Sequence, residues 1–202
     1  MSWNEYHFIT HWRVEGTCKE VSDLLSDAED LTRWWPSVYL EVKELAPGEE
    51  NGVGKSVWLH TKGWLPYTLT WHFETVASRR PFGWTLEASG DFAGVGIWTF
   101  EQEGDCVNIT YDWRVRADKP LLRIFSPLLR PIFSANHHWA MRKGQESITL
   151  EMARLHALTP EARAQIPPPP GPTWSFLLKK RKAPIEVKPL PATIGHGKAT
   201  RQ

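Results

Sequence analysis

"PIFSANHHWAMRKGQESITLEMARLHAL", residues 131–158, carries its apolar side chains at helical spacing. Phe133, His137, Met141, Gly144, Ile148, Met152 and Leu155 follow one another at intervals of three and four and fall on one stripe. Arg142, Lys143, Gln145, Glu146 and Glu151 lie largely off it. A helix of this length spans about 40 Å. It has one apolar face to bury, and the preceding chain must supply the surface that takes it.

That preceding chain reads as strands. "YHFITHWRVE" (6–15) puts Tyr6, Phe8, Thr10, Trp12 and Val14 on one side of a strand. "GTCKEVSDLLSDAEDLTRWWP" (16–36) interrupts with two short helices. Thr17 and Glu20 have capping-box spacing, Val21, Leu24 and Leu25 form an apolar stripe, and Pro36 ends the second helix, which starts near Ala28. Then come "VYLEVKEL" (38–45), "KSVWLHTK" (55–62), "YTLTWHFETVA" (67–77), "WTLEAS" (84–89), "IWTFEQE" (97–103) and "CVNITYDWRVRA" (106–117), joined by Gly-, Pro- and Asp-rich turns. Short strands so joined predict an antiparallel meander. Tyr67, Leu69, Trp71 and Phe73 share one face of their strand, with Thr68, Thr70, His72 and Glu74 opposite. The last strand alternates likewise, so one face of the sheet is covered and the other wet. "LLRIFSPLLR" (121–130) reads as a short helix broken by Pro127, separate from the long one.

After residue 158 the pattern fails. Nine of the 16 prolines lie in 159–202, including "PPPPGP", and "KKRK" follows. This predicts a flexible, basic tail on a domain spanning 1–158. "TWSFLL" (173–178) is the one stretch of the tail suited to docking. Residues 159–202 hold eight Lys/Arg against two Asp/Glu, a net of +6, whereas 1–158 holds 16 against 21, a net of −5. The two cysteines, Cys18 and Cys106, form no paired motif and fit a reducing compartment. The sequence has neither a secretory leader pattern nor an apolar run long enough to span a membrane, so a cytoplasmic protein is expected.

The order strand, two short helices, about six antiparallel strands and one long C-terminal helix resembles the START-like (SRPBCC) superfamily. Local phrases resemble its polyketide cyclase/dehydrase branch: "RWWP" (33–36), "PGEENGVGK" (47–55), "LPY" (65–67), "GDFAGVGIW" (90–98), "YDWRV" (111–115) and "NHHWAM" (136–141). The resemblance covers roughly residues 5–156. It implies an α+β helix-grip fold, a curved antiparallel sheet of about seven strands around the C-terminal helix. It also implies a cavity between them for lipids, polyketides or other apolar compounds, in a superfamily of which only some members are enzymes.

The inward sides of the strands and the helix stripe nominate Tyr67, Trp71, Phe73, Trp98, Phe100, Tyr111 and Trp113, facing His137 and Met141, as ligand-binding residues. The alternative for each ring is plain core packing. "GVG" (94–96) could bulge its strand and reverse the facing of Trp98. His137, with Tyr67 and Tyr111, is the candidate acid–base set, the alternative being a histidine that only orients a ligand. His137 and His138 point about 100° apart on a helix and cannot readily share an ion, so no metal and no cofactor are expected. Three functions follow: binding of a hydrophobic small molecule, a cyclase or dehydrase reaction, or lipid carriage with recruitment to a membrane or protein through Lys179, Lys180, Arg181 and Lys182. Nucleic acid is not an expected partner.

Overall fold

The computed structural model describes residues 4–117 and 120–175. Its elements are β1 (Glu5–Glu15), α1 (Cys18–Ser26), α2 (Leu31–Trp34), β2 (Tyr39–Ala46), β3 (Ser56–Lys62), β4 (Thr68–Ser78), β5 (Gly83–Gly90), β6 (Phe92–Glu103), β7 (Cys106–Ala117), α3 (Pro120–His156) and α4 (Pro160–Gln165). The seven strands form one antiparallel sheet in the order β1-β7-β6-β5-β4-β3-β2. The chain after β1 thus crosses to the far edge, and the meander works back until β7 pairs with β1. The two short helices provide that crossing, and α3 then lies across the inner face of the sheet.

The alternation read from the sequence sets the inner face. Trp12, Leu59, Val107 and Ile109 are buried there, with Val21 of α1 and Ile148 and Met152 of α3 packed in the same core. The Thr17–Glu20 box caps α1 reciprocally: the Thr17 hydroxyl accepts from the Glu20 N–H at 3.2 Å, and a Glu20 carboxylate oxygen accepts from the Thr17 N–H at 2.8 Å. Gly144 is the notch by which α3 seats. A Cβ there would lie 2.2 Å from Trp35 Cζ2 and 2.7 Å from Trp12 Cη2. Glu151, off the apolar stripe by sequence, is nevertheless buried, because Arg33 of α2 (2.7 Å) and Arg154 (3.2 Å) both meet its carboxylate.

Four readings need correction. The helix does not restart at Pro131: backbone from Pro120 to His156 is continuous helix through Pro127 and Pro131. A proline inside a helix costs about 3 kcal/mol, a local penalty that does not by itself end an element of 37 residues. β6 begins at Phe92, not Ile97, and its register to β5 and β7 runs through Gly94 and Gly96 without a bulge. Leu155, assigned to the buried stripe, is exposed.

The fourth concerns the C-terminal boundary. Residues 159–175 are not a loose continuation. Thr159 caps α4, its hydroxyl accepting from the Ala162 N–H at 3.1 Å. The proline run then forms a strap pinned at two points: Arg154 donates to the Pro167 carbonyl, and Thr173 meets Lys62 at the end of β3. Trp174 Nε1 donates to the Trp64 carbonyl at 2.8 Å. The rest of "TWSFLL" and Lys179–Lys182 lie outside the described residues. Among the described residues no helix is long and apolar enough to cross a membrane.

Candidate functional site

A cavity of about 170 Å³ lies between the inner face of the sheet and α3. Tyr67, Trp71, Phe73, Trp98, Tyr111, Trp113, His137 and Met141 all stand in its wall. Phe100 does not; the expectation that it faces a ligand is corrected. It is 2% exposed and packs edge-on against Trp84 at 5.1 Å, at the end of β6 that α1 covers, so it belongs to the solid part of the core. Sequence reading missed other parts of the wall. Phe8 and Tyr6 are on the inward face already read for β1, whereas Trp35 enters from the C-terminal end of α2, where periodicity gives no facing, and Tyr39 from the first position of β2. Lys62 and Asn136 carried no signal at all: alternation puts Lys62 on the solvent side of β3, and Asn136 is off the apolar stripe.

The aromatic wall is stacked. Tyr111 lies against Trp98 with ring centroids 4.0 Å apart and planes at 17°, and against Trp113 at 5.7 Å and 18°. Gly96 makes room for this stack, since a Cβ there would sit 2.7 Å from the Tyr111 hydroxyl and 2.9 Å from its ring. At Gly96 Tyr111 thus occupies the space of a side chain, whereas a Cβ at Gly94 would meet the Arg114 carbonyl oxygen of β7 at 2.1 Å. Across the cavity His137 stacks on Phe8, centroids 4.0 Å apart and planes at 17°. His138 meets Phe8 only edge-on and lines a separate outer groove with Ile9, His11 and Arg142.

The polar groups of the wall are few. Nε2 of His137 is enclosed without a hydrogen-bond partner. Burial, and to a lesser degree the neighbouring His138, pushes its pKa down to about 3, so the ring is neutral at neutral pH. Burial likewise raises the Tyr67 and Tyr111 hydroxyls above the ordinary tyrosine range, with smaller contributions from Tyr6 and Tyr39 respectively. Such groups stay uncharged and can donate or accept hydrogen bonds. Proton transfer is most effective when a group titrates near the working pH, and none of the three does. Among the described residues no three His, Cys, Asp or Glu side chains gather to hold a metal ion.

Neither a protein-family model nor a curated protein matches the sequence. Solved structures do match in shape. The Zhui aromatase/cyclase from Streptomyces sp. R1128 superposes with a TM-score of 0.59 at 16% identity, covering 76% of this chain and 97% of that one. Protein Ms6760 from Mycobacterium smegmatis gives 0.55 at 11% identity over 74% and 92%. TTHA0849 from Thermus thermophilus gives 0.53 at 18% identity over 71% and 90%. At these identities the likeness is one of architecture, and it establishes that the chain has the helix-grip fold those proteins share.

Proposed function

We propose that this protein binds a small apolar molecule with a ring, held between the Tyr111–Trp98–Trp113 stack and the Phe8–His137 pair. The observation that carries the reading is the cavity of about 170 Å³ between the sheet and α3, walled largely by aromatic and aliphatic side chains and with the unpartnered Nε2 of His137 in its wall. A dry cavity of about 150 Å³ suffices for benzene, so a single-ring compound fits without rearrangement. A larger polycyclic or lipid ligand needs the wall to open. The Nε2 of His137 and the hydroxyls of Tyr67 and Tyr111 then set orientation, because a ligand that leaves them unpaired forgoes their hydrogen bonds.

A second reading, a cyclase or dehydrase using His137 with Tyr67 or Tyr111, draws on the same cavity and on the aromatase/cyclase named among the structural neighbours. The low pKa of His137 weighs against it, since a base that weak removes protons poorly at neutral pH. Binding is therefore favoured over catalysis.

The test is direct titration of the full chain with single-ring probes such as p-xylene, p-cresol and indole, read by the fluorescence of the cavity tryptophans. The expected result is saturable binding, abolished by Ala140→Trp, which fills the cavity from α3 while leaving the unfolding temperature within a few degrees. A linear, unsaturable response, or full binding by a folded Ala140→Trp variant, would reject the cavity as the site.

A further inference from the structure

Lys62 is out of place. It is the last residue of β3, it stands in the cavity wall, and it is 3% exposed. Lysine is almost never that buried unless its charge is paired, yet among the described residues no carboxylate reaches it. Its two hydrogen bonds both go to one neutral residue of the strap: Nζ donates to the Thr173 carbonyl at 2.5 Å and to the Thr173 hydroxyl at 2.8 Å. An ammonium has three N–H donors, so one remains. Burial lowers the Lys62 pKa, the response of a cation short of compensation.

Asn136 adjoins the same corner. It packs so closely on Gly63 that a Cβ there would lie 2.2 Å from its Oδ1 and 2.4 Å from its Nδ2. Its Oδ1 accepts from the Leu65 N–H at 3.1 Å, while its Nδ2 donates to no described residue. Asn136 is 8% exposed and stands in the cavity wall. Lys62 and Asn136 thus both stand in the wall at the Gly63 corner, one with an ammonium N–H and the other with an amide N–H₂ that no described residue takes up, in a cavity that is otherwise largely apolar. Two such donors at one corner, one of them charged, suit the two oxygens of a carboxylate.

We propose that the ligand of this cavity carries a carboxylate, which Lys62 and the Asn136 amide bind at the Gly63 corner while the apolar ring enters the aromatic stack. The inference rests on the cavity being a ligand site and narrows that ligand to an aromatic or short-chain carboxylic acid. It also gives the strap a part, since Thr173 holds the ammonium in the wall when no anion is there.

The experiment compares benzoate and 3-phenylpropanoate with benzamide and 3-phenylpropanamide, titrated into the full chain at pH 7.5 and low salt. The acids are expected to bind at least tenfold more tightly than the amides of the same shape. Lys62→Met should bring that ratio close to one, and Lys62→Arg should keep most of it. Amides that bind the unaltered protein as well as the acids would overturn the carboxylate and leave the cavity reading standing. Failure of every acid and amide, with p-xylene still binding, would do the same. Failure of p-xylene as well would remove both. The acid-to-amide ratio is measured on the unaltered chain, so the proposal can fail even if Lys62→Met does not fold.

Discussion

His137 places a proton-sensitive weak point inside the core. Folded, its ring stays neutral down to about pH 3, whereas in the unfolded chain it takes up a proton near 6.5. Between those values the unfolded chain binds more protons, so stability is fully present above pH 6.5 and is lost as the pH falls toward 3. The loss from this one group reaches about 1.4 kcal/mol per pH unit well inside the window. His137→Phe keeps a ring to stack on Phe8 and removes the titration. Urea denaturation at pH 7, 6 and 5 is expected to show a flatter pH dependence for the variant, with much of the difference appearing below pH 6. Equal slopes for the two proteins would mean that the ring is solvated in the native state. His137 was legible in the sequence because an apolar stripe on a long helix fixes which side chains face in. Lys62 was not, because a two-residue period assigns the end of a strand to one face or the other and says nothing of a residue where the strand turns away. Phe100 was misread for the complementary reason: alternation gives the face, and only the position of α1 tells which part of that face is filled.

At the scale of elements, the seating of α3 depends on one missing side chain. By intrinsic propensity Gly144→Ala should stabilise the helix by about 1 kcal/mol. The added methyl meets two buried indoles, 2.2 Å from Trp35 and 2.7 Å from Trp12, and overpacking of this kind typically costs about 1–3 kcal/mol. The clash should win, lowering the urea midpoint with the slope unchanged. Gly171→Ala in the strap, where a Cβ meets nothing within 4 Å, is the matched control and should be neutral. The element order was readable because each strand announces its face and each turn its glycines. Two element ends were not. The glycine-rich start of β6 looks like a turn until Tyr111 is seen filling the space above Gly96. Pro127 looks like a break until the helix is seen to continue beyond it.

For the whole molecule, a ligand that binds only the folded state must raise its stability, by about 2.7 kcal/mol at one hundred times its dissociation constant. Thermal unfolding with graded p-cresol should therefore show a midpoint that climbs with concentration, and Ala140→Trp should hold it flat. The strap adds a consequence for how this chain is handled. Thr173 lies 111 residues from the lysine it holds, and composition alone invites trimming the protein where α3 ends. A chain cut at residue 158 would keep every strand and the whole aromatic wall, yet it would release the ammonium of Lys62 to water. Its preference for acids over amides should shrink as solvent competes for that charge. The trimmed and full-length proteins would share one fold and differ in what they select, so any screen for the natural ligand belongs on the full chain.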